Sequence, residues 1–182
     1  MRPPIAPIGL DYLAGAARAT GIETRLLDLG LAPDPRAAME DFFRDHRPAL
    51  VGLTLRNADD SFWPSCASFV ENLRDHVRTV RGLTDAPIVL GGSGFSIFPR
   101  KIVEFTGADY GIRGDGEVAL PDLYRCVERG ESPERVAGLV TTRDMNPPAW
   151  DGDGALRVPT AREAVDNTTY FRLGGQIGIE TK

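Results

Sequence analysis

The chain has 182 residues, a formal net charge of −5 and two cysteines, a length that suits one domain with a short appendage, able to bury roughly 70% of its unfolded surface without a staple. No run of lysine or arginine appears, which argues against a nucleic-acid partner, and no stretch approaches the roughly 20 apolar residues of a membrane helix. Met1–Pro7 lacks the apolar core and cleavage site of a secretory signal, and Cys66 and Cys126 fit no metal-ligand spacing, so the setting read is cytoplasmic, with reduced, buried thiols and no metal site.

Ile8, Leu10, Leu13, Ala16 and Ala17 recur at helical spacing and stop at Thr20-Gly21, where glycine can terminate a helix. Ile22 to Leu29 alternates as a strand, and Pro35 to His46 reads as a helix ended by Pro48. Leu50-Val-Gly-Leu-Thr-Leu55 is apolar enough for a strand covered on both faces. Asp60 or Ser61 can then cap a long helix carrying Phe62, Phe69, Leu73, Val77 and Val80. Pro87–Leu90 reads as a strand, Arg100–Phe105 as a short helix, Asp109–Ile112 as a strand, Val118–Glu128 as a helix and Val136–Thr142 as a last strand.

Such alternation predicts an α/β fold, doubly wound and flavodoxin-like (Rossmann-like), with a parallel sheet and helices on both faces. Chains of this kind enter through a central strand that feeds the first helix, yet Met1–Pro7 carries prolines at 3, 4 and 7 that cannot supply ladder donors. The entering strand is therefore expected to be missing or irregular. Residues 1–143 form the domain, and 144–174, opening with Asn146-Pro-Pro and Asp151-Gly-Asp-Gly154, read as a linker. Residues 175–182 resume a strand pattern, as expected of a fragment of a longer protein.

The apolar run Pro87–Leu90 leads straight into Gly91, Gly92, Ser93, Gly94, Phe95 and Ser96, and a second strand ends at Arg113-Gly-Asp-Gly-Glu117. Bare backbone at two successive strand tips suits an extended ligand at the carboxyl edge of a parallel sheet; the bland alternative is two tight turns. Neither motif matches GxGxxG or GxxxxGK[ST]. Thr54, Leu55, Arg56 and Asn57 leave the sheet at the same edge, and the helix after Gly114-Asp115-Gly116 offers amino-terminal amides, with Glu117 as a dipole-complementing acid. His46 and His76 have no partner at ligand spacing, and no Ser/His/Asp arrangement appears, so the chain alone carries no catalytic site.

The segments Pro3-Pro4-Ile-Ala-Pro7-Ile-Gly9-Leu10-Asp-Tyr-Leu13, Val51-Gly-Leu-Thr54, Leu90-Gly-Gly92 and Gly114-Asp-Gly-Glu117 together resemble the cobalamin-binding domain of B12-dependent radical SAM enzymes. The ending Gly178-Ile-Glu-Thr-Lys182 resembles the first strand of the radical SAM barrel, which in that family precedes the three-cysteine cluster motif. The resemblance implies a cobalamin-holding module. Its [4Fe-4S] cluster, S-adenosylmethionine and methyl-transfer chemistry belong to a barrel of the same parent chain that this sequence lacks.

Against the histidine-on motif Asp-x-His-x-x-Gly, Gly9 takes the glycine position and Pro4 and Ala6 those of aspartate and histidine, so the resemblance implies base-off cobalamin without a histidine ligand. Thr54 would bond the nucleotide base and Arg56 or Asn57 lie near the lower corrin face. Gly9, Leu10, Leu55, Gly91–Gly94, Phe95 and Ser96 would line the tail, and Arg113–Glu117 the opposite side of the groove. Two other readings remain open: a flavodoxin-like regulatory or nucleotide-binding domain, and a degenerate module kept for docking.

Overall fold

The computed structural model describes residues 4–148 and 161–175. Within them the chain forms α1 (Ile8–Ala19), α2 (Pro35–Asp45), β1 (Val51–Thr54), α3 (Phe69–Arg81), β2 (Ile88–Gly91), α4 (Pro99–Thr106), β3 (Tyr110–Ile112), α5 (Gly116–Arg129), β4 (Leu139–Val140) and α6 (Asn167–Gly174). Single 3-10 turns lie at Phe95–Ile97 and Arg162–Ala164. The sheet runs β1-β2-β3-β4. Its first three strands are parallel, with Val51 opposite Ile88 and Val89 opposite Tyr110, and β4 is antiparallel to β3.

Residues along β2 alternate between two cores, as strand geometry requires. Ile88 and Leu90 pack with Met39, Phe43, Leu73, Val77 and Val103 from α2, α3 and α4. Val89 faces the other way, toward Ile112, Ala119, Leu123 and Leu139. The α1 helix lies against α5. The expected α/β layering with helices on both faces is present.

Local chemistry fixes the helix ends. Asp34 accepts hydrogen bonds from the Arg36 and Ala37 amides and Pro35 occupies the first position of α2. Ser68 caps α3. At the end of α1, the Thr20 hydroxyl donates to the carbonyls of Ala16 and Ala17 before Gly21 turns the chain at φ +79°. Gly107 and Gly130 close α4 and α5 in the same left-handed conformation.

Five sequence expectations change. The long helix from Asp60 begins only at Phe69, because the Asp60 carboxylate binds its own loop: it accepts from the Phe62 and Ala67 amides and the Ser65 hydroxyl. Phe62 and Trp63 are consequently exposed, and so is Cys66, which overturns its reading as a buried thiol; Cys126 is half-buried. The last strand shrinks to Leu139–Val140 and runs antiparallel, since residues 141–144 turn back so that Val140 bridges Met145. Residues 22–28 form no regular element, Leu29 lies in a turn, and the segment joins no described ladder.

The expected linker contains α6, and its end folds back: the Ala161 amide donates to Asp11 O, and the Tyr170 hydroxyl donates to the Asp28 carboxylate at 2.9–3.0 Å. The expected strand at 175–182 lies, beyond Gly175, outside the described residues, as do residues 149–160.

Candidate functional site

The loops leaving β1, β2 and β3 meet at the carboxyl edge of the sheet. The Leu55 amide donates to Gly91 O at 2.8 Å, and Leu55 O accepts from the Gly94 amide at 2.9 Å, so the first two tips are sewn together. Ser93 Oγ donates to Arg56 O at 2.8 Å, and the Ser96 amide and hydroxyl both donate to Gly92 O at 3.1 Å. The third tip is tied to β4, where the Arg113 amide donates to Gly138 O at 2.9 Å. The α1 helix reaches the same region, because Leu13 packs where a side chain on Gly116 would stand.

Gly92 has φ +101°, and a Cβ there would stand 2.5 Å from Leu55 O and 2.8 Å from Thr54 Oγ1. A Cβ on Gly94 would meet the Asn57 backbone at 2.7–2.8 Å. Both glycines therefore serve the closure of one tip on the next; the backbone of Gly94 is buried by the chain itself, while Gly92 stays exposed. Phe95 is fully buried in the α2–α4 core, and its ring fills the space above Gly111, where a Cβ would lie 2.1 Å from the ring edge. The ring expected to border a ligand tail is packed into the core. Leu55 is likewise buried in that core.

Other expected residues are open to solvent. Gly9 is exposed, with no atom within 4 Å of the position a Cβ would take. Thr54, Arg56, Ser93 and Gly114 are exposed, while Leu10, Asn57, Gly91, Ser96, Arg113, Asp115, Gly116 and Glu117 are half-buried. The ledge thus offers hydroxyls, amides, the guanidinium groups of Arg56 and Arg113 and the carboxylates of Asp115 and Glu117. His46 and His76 lie on none of these loops: the first donates from Nδ1 to Phe42 O and stacks on the Phe42 ring, and the second sits in α3, where burial lowers its pKa. Among the described residues no group of three histidine, cysteine or acidic side chains could hold a metal.

Sequence reasoning missed an apolar rim. Phe62 and Trp63, on the loop after β1, are 64% and 83% exposed, and Ile97 and Phe98, on the loop after β2, are 59% and 62% exposed. The signal was adjacency: consecutive apolar residues stand beside Pro64 and Pro99, and of these only Phe62 and Trp63 fall inside an expected helix.

The family model for the B12 binding domain matches residues 2–124. The chain belongs to the B12-binding domain family. Cobalamin is therefore the cofactor of this module, and the resemblance drawn from the glycine and proline motifs holds. This B12-binding domain is 40% identical over 160 residues to tryptophan 2-C-methyltransferase of Streptomyces laurentii, an alignment covering 83% of the chain and 27% of that protein. It is 24% identical over 176 residues to hopanoid C-3 methylase of Methylococcus capsulatus, covering 93% of the chain and 32% of that protein.

The radical S-adenosylmethionine methyltransferase TsrM of Kitasatospora setae, solved with tryptophan substrate and a SAM analog, superimposes with a TM-score of 0.81 at 33% identity, over 94% of this chain and 35% of that one. TsrM solved with cobalamin and a [4Fe-4S] cluster gives a TM-score of 0.76 at 36% identity, over 81% and 29% of the two chains. The cobalamin-dependent radical enzyme OxsB shares the fold, at a TM-score of 0.63 and 17% identity over 86% of this chain and 22% of that one. The B12-binding domain spans about a third or less of the length of these relatives.

The described residues fit the cofactor in one respect and shape it in another. An exposed ledge of hydroxyls, amides and open space at Gly9 suits a large ligand rich in amides, whereas the closed packing at Gly94 and Phe95 leaves no room there. No described helix is long and apolar enough to cross a membrane.

Proposed function

We propose that this B12-binding domain holds cobalamin base-off and without a histidine ligand, for a parent radical SAM enzyme that transfers a methyl group. The observation carrying this reading is the ledge itself: Thr54 and Arg56 stand exposed at the tip of β1, and no imidazole lies on any of the three loops. Bound cobalamin would supply methyl carriage at its cobalt. Thr54 would hold the nucleotide base through its hydroxyl, and Arg56 would approach the lower corrin face as a cation that cannot coordinate. Gly9 would leave space for the tail. The exposed rim of Phe62, Trp63, Ile97 and Phe98 suits an apolar face of the cofactor or of the parent's barrel.

The 40% identity to a tryptophan methyltransferase supports methyl transfer as the parent's reaction class. The [4Fe-4S] cluster and S-adenosylmethionine would be held by that barrel, which follows the connector of residues 144–174 and opens with the strand of residues 175–182. A cytoplasmic setting accords with this chemistry.

Adding hydroxocobalamin to the purified protein and recording its visible spectrum tests the reading. A bound, base-off corrinoid is expected, and Arg56→Leu is expected to alter its cobalt spectrum while leaving thermal unfolding in place, because the Arg56 side chain is exposed. An identical spectrum in a loaded Arg56→Leu variant would remove Arg56 from the site. Absence of binding would favour a module retained for docking, a reading that the closed packing of Gly94 and Phe95 supports.

A further inference from the structure

The α1 helix starts at the ledge without a cap of its own. Pro7 precedes it, and among the described residues no side chain at that position bonds the free amides of the first turn. The local sequence therefore does little to fix where Gly9 stands. Two tight turns, from the Ile8 amide to Ala6 O and from the Leu10 amide to Pro7 O, both at 2.9 Å, carry the chain back to Ala6. Ala6 is 6% exposed, and the side chains that bury it come from far along the sequence: it packs with Val165 and Tyr170, beside Leu26 and Leu31.

Residues 161–170 hold α1 a second time at Asp11. The Ala161 amide donates to Asp11 O at 3.0 Å, and Arg162 stands 3.7 Å from the Asp11 carboxylate, which is fully buried. A carboxylate out of water is costly unless a cation faces it, so Arg162 offsets the burial of Asp11. The segment is braced independently of α1. Asp166 caps α6, and Asn167 Nδ2 donates to the carbonyls of Arg162 and Val165 at 2.9 and 3.2 Å. Tyr170 is anchored on the Asp28 carboxylate, past the far end of α1.

We propose that residues 161–170 are a strap that sets the position of the ledge end of α1, which makes Val165 and Tyr170 positioning residues for the cofactor site. The inference rests on the cobalamin reading of the ledge, in which Gly9 leaves space for the ligand. Both residues lie outside residues 2–124, the span that the family model matches, so that span does not contain all of the site's support. Release of the strap would strip Ala6 of its cover and Asp11 of its facing cation together. The contact of Leu13 with Gly116 on α5 would survive. The helix would then keep its place at Leu13 and lose it at Gly9.

Val165→Asp tests the proposal in the purified chain, because an acid cannot stay buried against Ala6 and Tyr170; Val165→Ala is the milder variant. Without cofactor, the amides of residues 8–13 should exchange about tenfold faster in Val165→Asp, while those of Ile88–Leu90 keep their protection and show that the sheet is intact. The Kd for hydroxocobalamin, read from its visible spectrum, should rise at least about fivefold, with Val165→Ala in between. Val80→Ala is the control: Val80 is buried in the α2–α4 core, so its truncation lowers the urea midpoint but should move neither readout. Unchanged exchange in residues 8–13, unchanged Kd in Val165→Asp, or a Kd that rises as far in Val80→Ala as in Val165→Ala would each overturn the proposal. Failure of the unaltered chain to take up hydroxocobalamin would refute the cobalamin reading instead, and the exchange measurement, which uses no corrinoid, would still decide whether the strap holds α1.

Discussion

Replacing Gly92 by alanine separates two roles that a glycine at a strand tip can play. The residue sits at φ +101°, a region that costs an L-residue about 1–3 kcal/mol. The new methyl would also press to 2.5 Å from Leu55 O, the acceptor for the Gly94 and Phe95 amides at 2.9 and 3.3 Å. Displacing that carbonyl weakens two hydrogen bonds, each worth about 0.5–1.5 kcal/mol net. The sum is roughly 2–6 kcal/mol, which for a urea slope of about 2 kcal/mol per molar lowers the unfolding midpoint by ~1–3 M. The assay is urea unfolding without any corrinoid. A Gly92→Ala midpoint equal to wild type would refute the packing argument, and if corrinoid uptake failed in that stable variant, Gly92 would be reassigned to ligand space.

Gly9→Ala should behave in the opposite way. It lies in the first turn of α1 with nothing within 4 Å of the added methyl, so helix propensity predicts a gain of up to about 0.5 kcal/mol in thermal or urea unfolding, less than in a helix interior; Gly9→Leu, equally free of clashes at its Cβ, should lower hydroxocobalamin uptake if the tail passes there, and unchanged uptake would move the tail elsewhere. Asp11 supplies a pH test. It is fully buried in α1, and burial raises its pKa from the ordinary 3.8, while the Asn167 amide and Arg162, 3.7 Å away, pull it down only in part. The folded state therefore holds this proton more tightly than the unfolded chain, so the contribution of Asp11 to stability is whole below pH 3.8 and declines as pH rises through the elevated folded value. Asp11→Asn should remove that decline, making the stability of the variant relative to wild type climb as pH rises above 3.8. Parallel curves over that range would sink the argument.

Much of the fold could be read from local patterns because the deciding forces were local. Asp34-Pro35 starts a helix wherever it is placed, Thr20-Gly21 ends one, and the continuous apolar run Ile88–Leu90 demands cover on two faces. The misreadings came where a side chain had two possible backbone partners. Asp60 was a sound helix cap by type, but its carboxylate closes a loop around Phe62, Ser65 and Ala67, a choice made by amides up to seven residues away. Residues 22–29 carry a strand pattern, and pattern says which faces are buried without saying whether a neighbour is present to complete a ladder. At the site, glycine clusters announced close approach correctly. They did not disclose that at Gly92 and Gly94 the approaching group is the backbone of residues 54–57.

The position of α1 links the two ends of this module. Its first turn presents Gly9 at the open ledge, and Leu13 packs on Gly116 at the third tip. The same helix binds the chain that returns from residues 149–160: Asp11 O accepts from the Ala161 amide, Arg162 stands beside the buried Asp11 carboxylate, and Arg18 pairs with Glu163. Exposed ion pairs such as the last contribute little, so the attachment rests on the buried Asp11 and on Val165 and Tyr170 packed against Ala6. A displacement of α1 at the ledge must therefore either carry residues 161–170 with it or break a buried contact. Since protein interiors are close-packed and transmit strain, the first outcome follows, and α1 ties the ledge to residues 161–170.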